Sequence, residues 1–206
     1  MIPMVAGILS MSILSGQLIT RFGRYKIFPV TGSVILGIGL LLMSTLQVDT
    51  PYWQIAIFAY LFGGGLGLTM QTIVVAVQNA VSMRDMGVAT SAVTFTRSLG
   101  GAVGTAVFGA ILNSRLASYI AESLGDASLP IGSGSPEMAA NNIQAMQQLE
   151  EPMRGIVLGA YTNALTDLFL FAVPFVAVAF VVSLFLKEIP LRSGADSQEA
   201  PVAATH

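Results

Sequence analysis

Few residues in this chain have the types and settings that do chemistry. Arg97 stands in TRSLGGAVGTAVFGAIL, residues 96–112, and no other charge lies between Asp85 and Arg115. Asp167 stands in YTNALTDLFLF and is the sole charge between Gly155 and Leu186. Gln71, Gln78 and Asn79 interrupt a third apolar stretch. A guanidinium in an apolar stretch binds carboxylates, anions or carbonyls. A lone carboxylate withdrawn from water has its pKa raised and can take up a proton near neutrality. Amides hydrogen-bond neighbouring helices or line a polar path. Hydrolytic, thiolate and zinc chemistry have no basis here: there is no cysteine, and the one histidine is His206, the last residue. No paired acids suggest an enzyme, and no cofactor is expected.

The elements that position these residues follow from composition. The 206 residues are 54% hydrophobic and 10% charged, with mean hydropathy +0.75. Soluble domains carry about 25% charged residues, so the expected medium is a lipid bilayer. The net charge of -2 gives no reason to expect nucleic acid as a partner. About 20 apolar residues cross the hydrocarbon as a helix. The stretches free or almost free of charge predict an all-α integral membrane fold of five transmembrane helices, at about residues 1–20, 27–48, 52–81, 87–114 and 160–186.

Positive residues mark the cytoplasmic side. Arg21, Arg24 and Lys26 lie between the first two stretches, Arg84 follows the third, and Lys187 and Arg192 follow the fifth. This predicts an N-terminus outside the cell membrane, a cytoplasmic C-terminus, and an external loop over residues 115–158. Gly125, Pro130, Gly132, Gly134 and Pro136 give that loop turn chemistry. Ser135-Pro136-Glu137 is a helix-start pattern, with Ile143, Met146 and Leu149 on one face of a short surface helix. Residues 190–206 are small and polar and are expected to be a disordered tail. A first helix that starts outside, with no basic residues before it, is expected of the middle of a longer chain.

For the singled-out residues, two readings stand side by side. Gly63 and Gly67 form one GxxxG pattern. Gly100 and Gly104 form another, with Gly101 alongside. Such faces let helices pack closely, or slide over one another. Arg97, about ten residues into its helix, costs at least ~2.5 kcal/mol if held in hydrocarbon. It either faces a partner inside the bundle or snorkels to the headgroups. Asp167 is an interfacial acid or a proton site. Gln71 and Gln78, seven apart, share a face as interhelical glue or as a polar lining; Gln78 and Asn79 lie near the inner end.

GQLITRFGRYK, residues 16–26, resembles the loop signature of the major facilitator superfamily, Gly-x-Leu-x-Asp-Arg-x-Gly-Arg-Arg/Lys. Gly16, Leu18, Arg21, Gly23, Arg24 and Lys26 match or nearly match it, with Thr20 in place of the usual Asp. VAVQNAV and DMGVATSAVTFTRSLGGAVGTAVFGAIL, within residues 75–112, resemble the penultimate-helix region of the fourteen-helix drug:proton antiporters of the EmrB/QacA type. FLKEIPLR, residues 185–192, resembles their closing sequence. The resemblance implies that residues 1–189 are part of the C-terminal bundle of that fold. The partners it implies are the lipid bilayer, small amphipathic substrates, protons, and an N-terminal bundle on the same or another chain. It further implies proton-coupled multidrug efflux with a link to antibiotic resistance, bundles that rock about a midplane site, and a loop whose cations bridge helix ends. The alternative is a truncated, non-transporting remnant of such a transporter.

Overall fold

The computed structural model describes residues 1–124 and 153–186. The expected external loop, the short surface helix expected within it and the expected C-terminal tail fall wholly or mostly outside these residues. The described chain is all-helical: α1 (Ile2–Phe22), α2 (Ile27–Met43), α3 (Tyr52–Ala80), α4 (Met86–Leu124) and α5 (Met153–Leu184). Four are long and apolar enough to cross a membrane. The fifth, α2, has 17 residues, or about 25 Å of helix against a hydrocarbon core of about 30 Å.

Helix bounds depart from the sequence reading at three places. Helix α2 stops at Met43 although residues 44–48 carry no charge. There the Ser44 and Thr45 hydroxyls donate to the carbonyls of Leu41 and Leu42, at 2.8 and 2.7 Å. Such local bonds compete with helix propagation. Helix α4 passes the expected end at residue 114 and runs to Leu124, and α5 begins seven residues earlier than expected, at Met153. The ends of the expected loop, residues 115–124 and 153–158, are thus helical. The reason is mutual burial: Leu116 and Ile120 of α4 pack on Ala160 and Ala164 of α5, flanked by Leu112, Tyr119 and Tyr161. These pairs, together with Phe108 edge-on to Phe175 at 5.9 Å, run in opposite chain directions, so α4 and α5 are antiparallel.

Helix α3 is the hub. It packs along α1 on one side and α2 on another; α5 packs on α2 and on α4; α4 meets α3 only over a short stretch. Lipid removes most of the hydrophobic drive between helices, so close backbone approach and polar contacts must supply the cohesion. The α1–α3 crossing does this with glycine. A Cβ on Gly7 would strike the Tyr60 carbonyl, one on Gly63 the Met4 carbonyl, and one on Gly67 the Ile8 carbonyl. The Ser10 and Tyr60 hydroxyls hydrogen-bond across the same crossing at 2.9 Å. On the α2 side, Gly65 faces Gly32 and Leu36, and Gly39 faces Phe62. Buried Ser15, Ser33 and Thr72 return their hydroxyl protons to their own helices, onto the carbonyls of Ser12, Val30 and Leu68.

Candidate functional site

The charged turn Ser82–Asp85 starts α4, and Asp85 is tied to it by the Ser82 hydroxyl at 2.7 Å. Beyond this turn α4 diverges from α3 and leaves a groove of about 550 Å³. Ile73 and Val77 of α3 line it with Ala89, Ala92, Val93, Thr96 and Arg97 of α4. Arg97 lies about 12 Å further along the helix than Ala89. Helical side chains lean toward the N-terminus, so its guanidinium leans over the groove rather than away from it. Among the described lining residues Arg97 is the only charge and Thr96 the only other polar side chain.

The structure separates the glycines that sequence treats alike. Gly63 and Gly67 are buried at the α1–α3 crossing. Gly100, Gly101 and Gly104 have open space where a Cβ would stand. Neighbouring Leu99, Val103 and Val107 are exposed. That stretch of α4, adjoining Arg97, has no helix against it among the described residues.

The amides do not assemble into one site. Gln71 is exposed, Gln78 and Asn79 are half-buried, and none of the three lines the groove. Asn79 is engaged within the protein. Between Gln71 and the groove-lining Ile73, Thr72 is fully buried.

Asp167 belongs to a cluster built with two residues that sequence reasoning passed over. The Tyr119 hydroxyl donates to Asp167 Oδ2 at 2.9 Å. Arg115 Nε lies 3.7 Å from the same oxygen, and its guanidinium carbon sits 5.3 Å from the centre of the Phe171 ring. Asp167 and Phe171 are one turn apart on α5, and Arg115 and Tyr119 one turn apart on α4, so each helix presents two adjacent groups to the other. Leu170 and Pro174 complete a second groove of about 470 Å³. The Asp167 side chain is 28% exposed and that of Arg115 45%, which makes this a half-wet clasp. Repetition of Leu112, Leu116 and Ile120 every four residues was the available signal that α4 continues through Arg115 and Tyr119.

Arg97 and Arg115 are 18 positions apart, or about 27 Å along α4, close to the ~30 Å thickness of the hydrocarbon. Both cannot lie deep in it.

Within residues 16–26, α1 runs on to Phe22 and ends at Gly23, at φ 69°, whose amide donates to the Ile19 carbonyl at 2.9 Å. Gly16 faces open space. Arg21 and Arg24 are exposed and Lys26 half-buried; the Arg21 guanidinium lies 5.9 Å from the ring of its neighbour Phe22. Thr20 donates to Gln17 of its own helix at 2.8 Å. The unforeseen residue is Tyr25, only 1% exposed, packed with Ile19 and Ala76 and flanked by Phe28, Val75 and Leu186. The tyrosine therefore holds this segment into the end of the bundle while Arg21 and Arg24 stay exposed.

Comparison with known proteins converges on one family. The family model described as Major Facilitator Superfamily matches residues 1–105 of the 206. An uncharacterized transporter of this type from Mycobacterium tuberculosis is 39% identical over 190 residues, covering 92% of this chain and 27% of the relative. A protein of Bacillus subtilis described as a multidrug transporter is 31% identical over 227 residues, covering 99% of this chain and 42% of the relative. An efflux transporter of Aspergillus flavipes is 32% identical over 186 residues, covering 89% and 32%. The chain thus spans between about a quarter and two-fifths of the length of these relatives. With the family model matched over more than half of its residues, and with helices long and apolar enough to cross a bilayer, this chain belongs to the Major Facilitator Superfamily.

Proposed function

We propose that this chain works as the C-terminal part of an exporter in the cell membrane, moving amphipathic compounds outward in exchange for protons. The subfamily that suits it is the fourteen-helix drug:proton antiporters. The N-terminus lies outside and the C-terminus in the cytoplasm, as the positions of Arg21, Arg24, Lys26 and Arg84 favour. Support comes from family membership and from relatives described as multidrug and efflux transporters. The observation that carries the reading is the apolar groove beside Arg97, next to an α4 face that no described helix covers. Substrates of such transporters sit between two rocking bundles, and an uncovered small-residue face suits a moving contact.

The test uses the full-length protein in cells stripped of other exporters. Energised efflux of an amphipathic dye is followed with and without a protonophore. Wild type is expected to extrude dye and to stop when the proton gradient collapses. Arg97→Ala is expected to remain in the membrane and to lose export. Dye retention by well-expressed wild type would overturn the export reading. Normal export by Arg97→Ala would return Arg97 to a headgroup-snorkelling role.

A further inference from the structure

We infer that the α3–α4 groove is a binding site for lipophilic organic anions, which sets the substrate class of the exporter; this rests on the export reading above. Three observations carry it. The first is size: about 550 Å³ falls within the ~300–1,000 Å³ of sites that take drug-sized ligands. The second is charge. Five of the seven lining residues, Ile73, Val77, Ala89, Ala92 and Val93, are apolar, and the only ion among the seven is a cation, Arg97. Among the described residues no carboxylate lines the groove. The described acid nearest to Arg97 in the chain is Asp85, about 18 Å back along the chain at helical rise and already bound by Ser82. A lipophilic cation placed here would meet Arg97 with no described carboxylate lining the groove to offset the repulsion. An anion would gain a charge-assisted hydrogen bond in a low-dielectric wall.

The third observation is polarity along the groove, and it separates a free anion from a membrane lipid. The charged turn Ser82–Asp85 marks the water-facing end of α4. Ala89 lies near that end and Arg97 about 12 Å deeper. The mouth of the groove, at Val77 and Ala89, is therefore apolar, and its cation lies further in even with the Arg97 side chain leaning back toward the mouth. A bilayer phospholipid has the opposite order, with its charge at the surface and its chains inside. A compact amphiphile with its acid group leading inward fits the groove; a resident lipid does not.

The experiment uses full-length protein in phosphatidylcholine nanodiscs and two photoreactive probes of equal chain length. One is a diazirine-bearing alkyl sulfonate and the other its trimethylammonium counterpart. Crosslinked peptides are mapped, which removes probe merely dissolved in lipid from the count. The sulfonate is expected to label peptides holding Ile73–Val77 and Ala89–Val93 at least about tenfold more than the ammonium probe, the factor one charge-assisted hydrogen bond supplies. Arg97→Gln is expected to erase the preference and Arg97→Lys to retain most of it. Equal labelling by both probes, or a preference untouched in Arg97→Gln, overturns the inference. Loss of sulfonate labelling when phosphatidylglycerol replaces part of the lipid overturns it too, because the groove would then belong to anionic lipid. Dye export measured in parallel keeps the two readings apart: export with no anion preference sinks only the inference, and absence of export sinks the reading beneath it.

Discussion

Gly65→Ala asks whether α2 and α3 touch as closely as the structure places them. The added Cβ would stand 2.5 Å from the Leu36 amide nitrogen, 2.7 Å from the Gly32 carbonyl oxygen and 2.8 Å from Leu36 Cα. Ordinary contact begins near 3.4 Å, so α2 must retreat by about 0.9 Å. All three atoms are backbone, and no rotamer change relieves the clash. Retreat would also loosen Gly32 from Thr69 and Gly39 from Phe62, which pack on the same interface. Overpacking of this kind costs about 1–3 kcal/mol, and rigid neighbours put the expectation near the upper end, at about 2–3 kcal/mol, a shift of roughly 30- to 150-fold in the unfolding equilibrium. The comparison is Gly100→Ala, where no described atom lies within 4 Å of the new methyl; if the face stays uncovered in the full-length protein, alanine's helix preference adds about 0.5–1 kcal/mol. The assay is reversible unfolding of the purified full-length protein in mixed micelles, read by circular dichroism. If Gly65→Ala unfolds within about 0.5 kcal/mol of wild type, the α2–α3 separation described here is wrong, and the cohesion of the bundle does not rest on these glycines.

Asp167→Asn should cost at most about 1 kcal/mol, because the ion pair it removes is half-exposed and the amide oxygen still accepts from Tyr119. A modest fall in export rate with normal expression is expected, whereas complete loss of proton-coupled export would show Asp167 to be a proton site. Gly23→Ala puts a Cβ on a residue at φ 69°, which costs about 1–2 kcal/mol; a melting temperature no lower than that of wild type would contradict the left-handed end of α1. Tyr25→Ala should cost about 3–5 kcal/mol as a large aromatic lost from a packed site. In full-length protein it should also make a cysteine placed at exposed Arg24 react faster with a bulky maleimide, and unchanged labelling and stability would rule out the anchoring role.

Composition and the spacing of charges already imply a helical chain that belongs in lipid, and roughly where each helix runs. Hydrocarbon enforces this: it offers no partner to a free amide or carbonyl, so a long uncharged stretch must satisfy its own backbone as a helix. It also exposed Arg97 and Asp167, since isolated charges stand out in apolar surroundings. Which glycines matter to packing depends on contacts between helices. Gly63, Gly65 and Gly67 carry neighbouring backbones, while Gly100, Gly101 and Gly104 carry none among the described residues, although the GxxxG spacing is the same. Only tertiary structure carried α4 past residue 114, because Leu116 and Ile120 are worth burying only when Ala160 and Ala164 arrive from a helix far along the chain. The Arg115–Tyr119–Asp167 clasp follows from that extension. The burial of Tyr25 among Ile19, Ala76 and Leu186 also depends on segments far apart in the chain, and no local pattern encodes it. Local sequence sets what each helix can present; which face meets protein and which meets lipid depends on neighbours that the chain supplies from elsewhere.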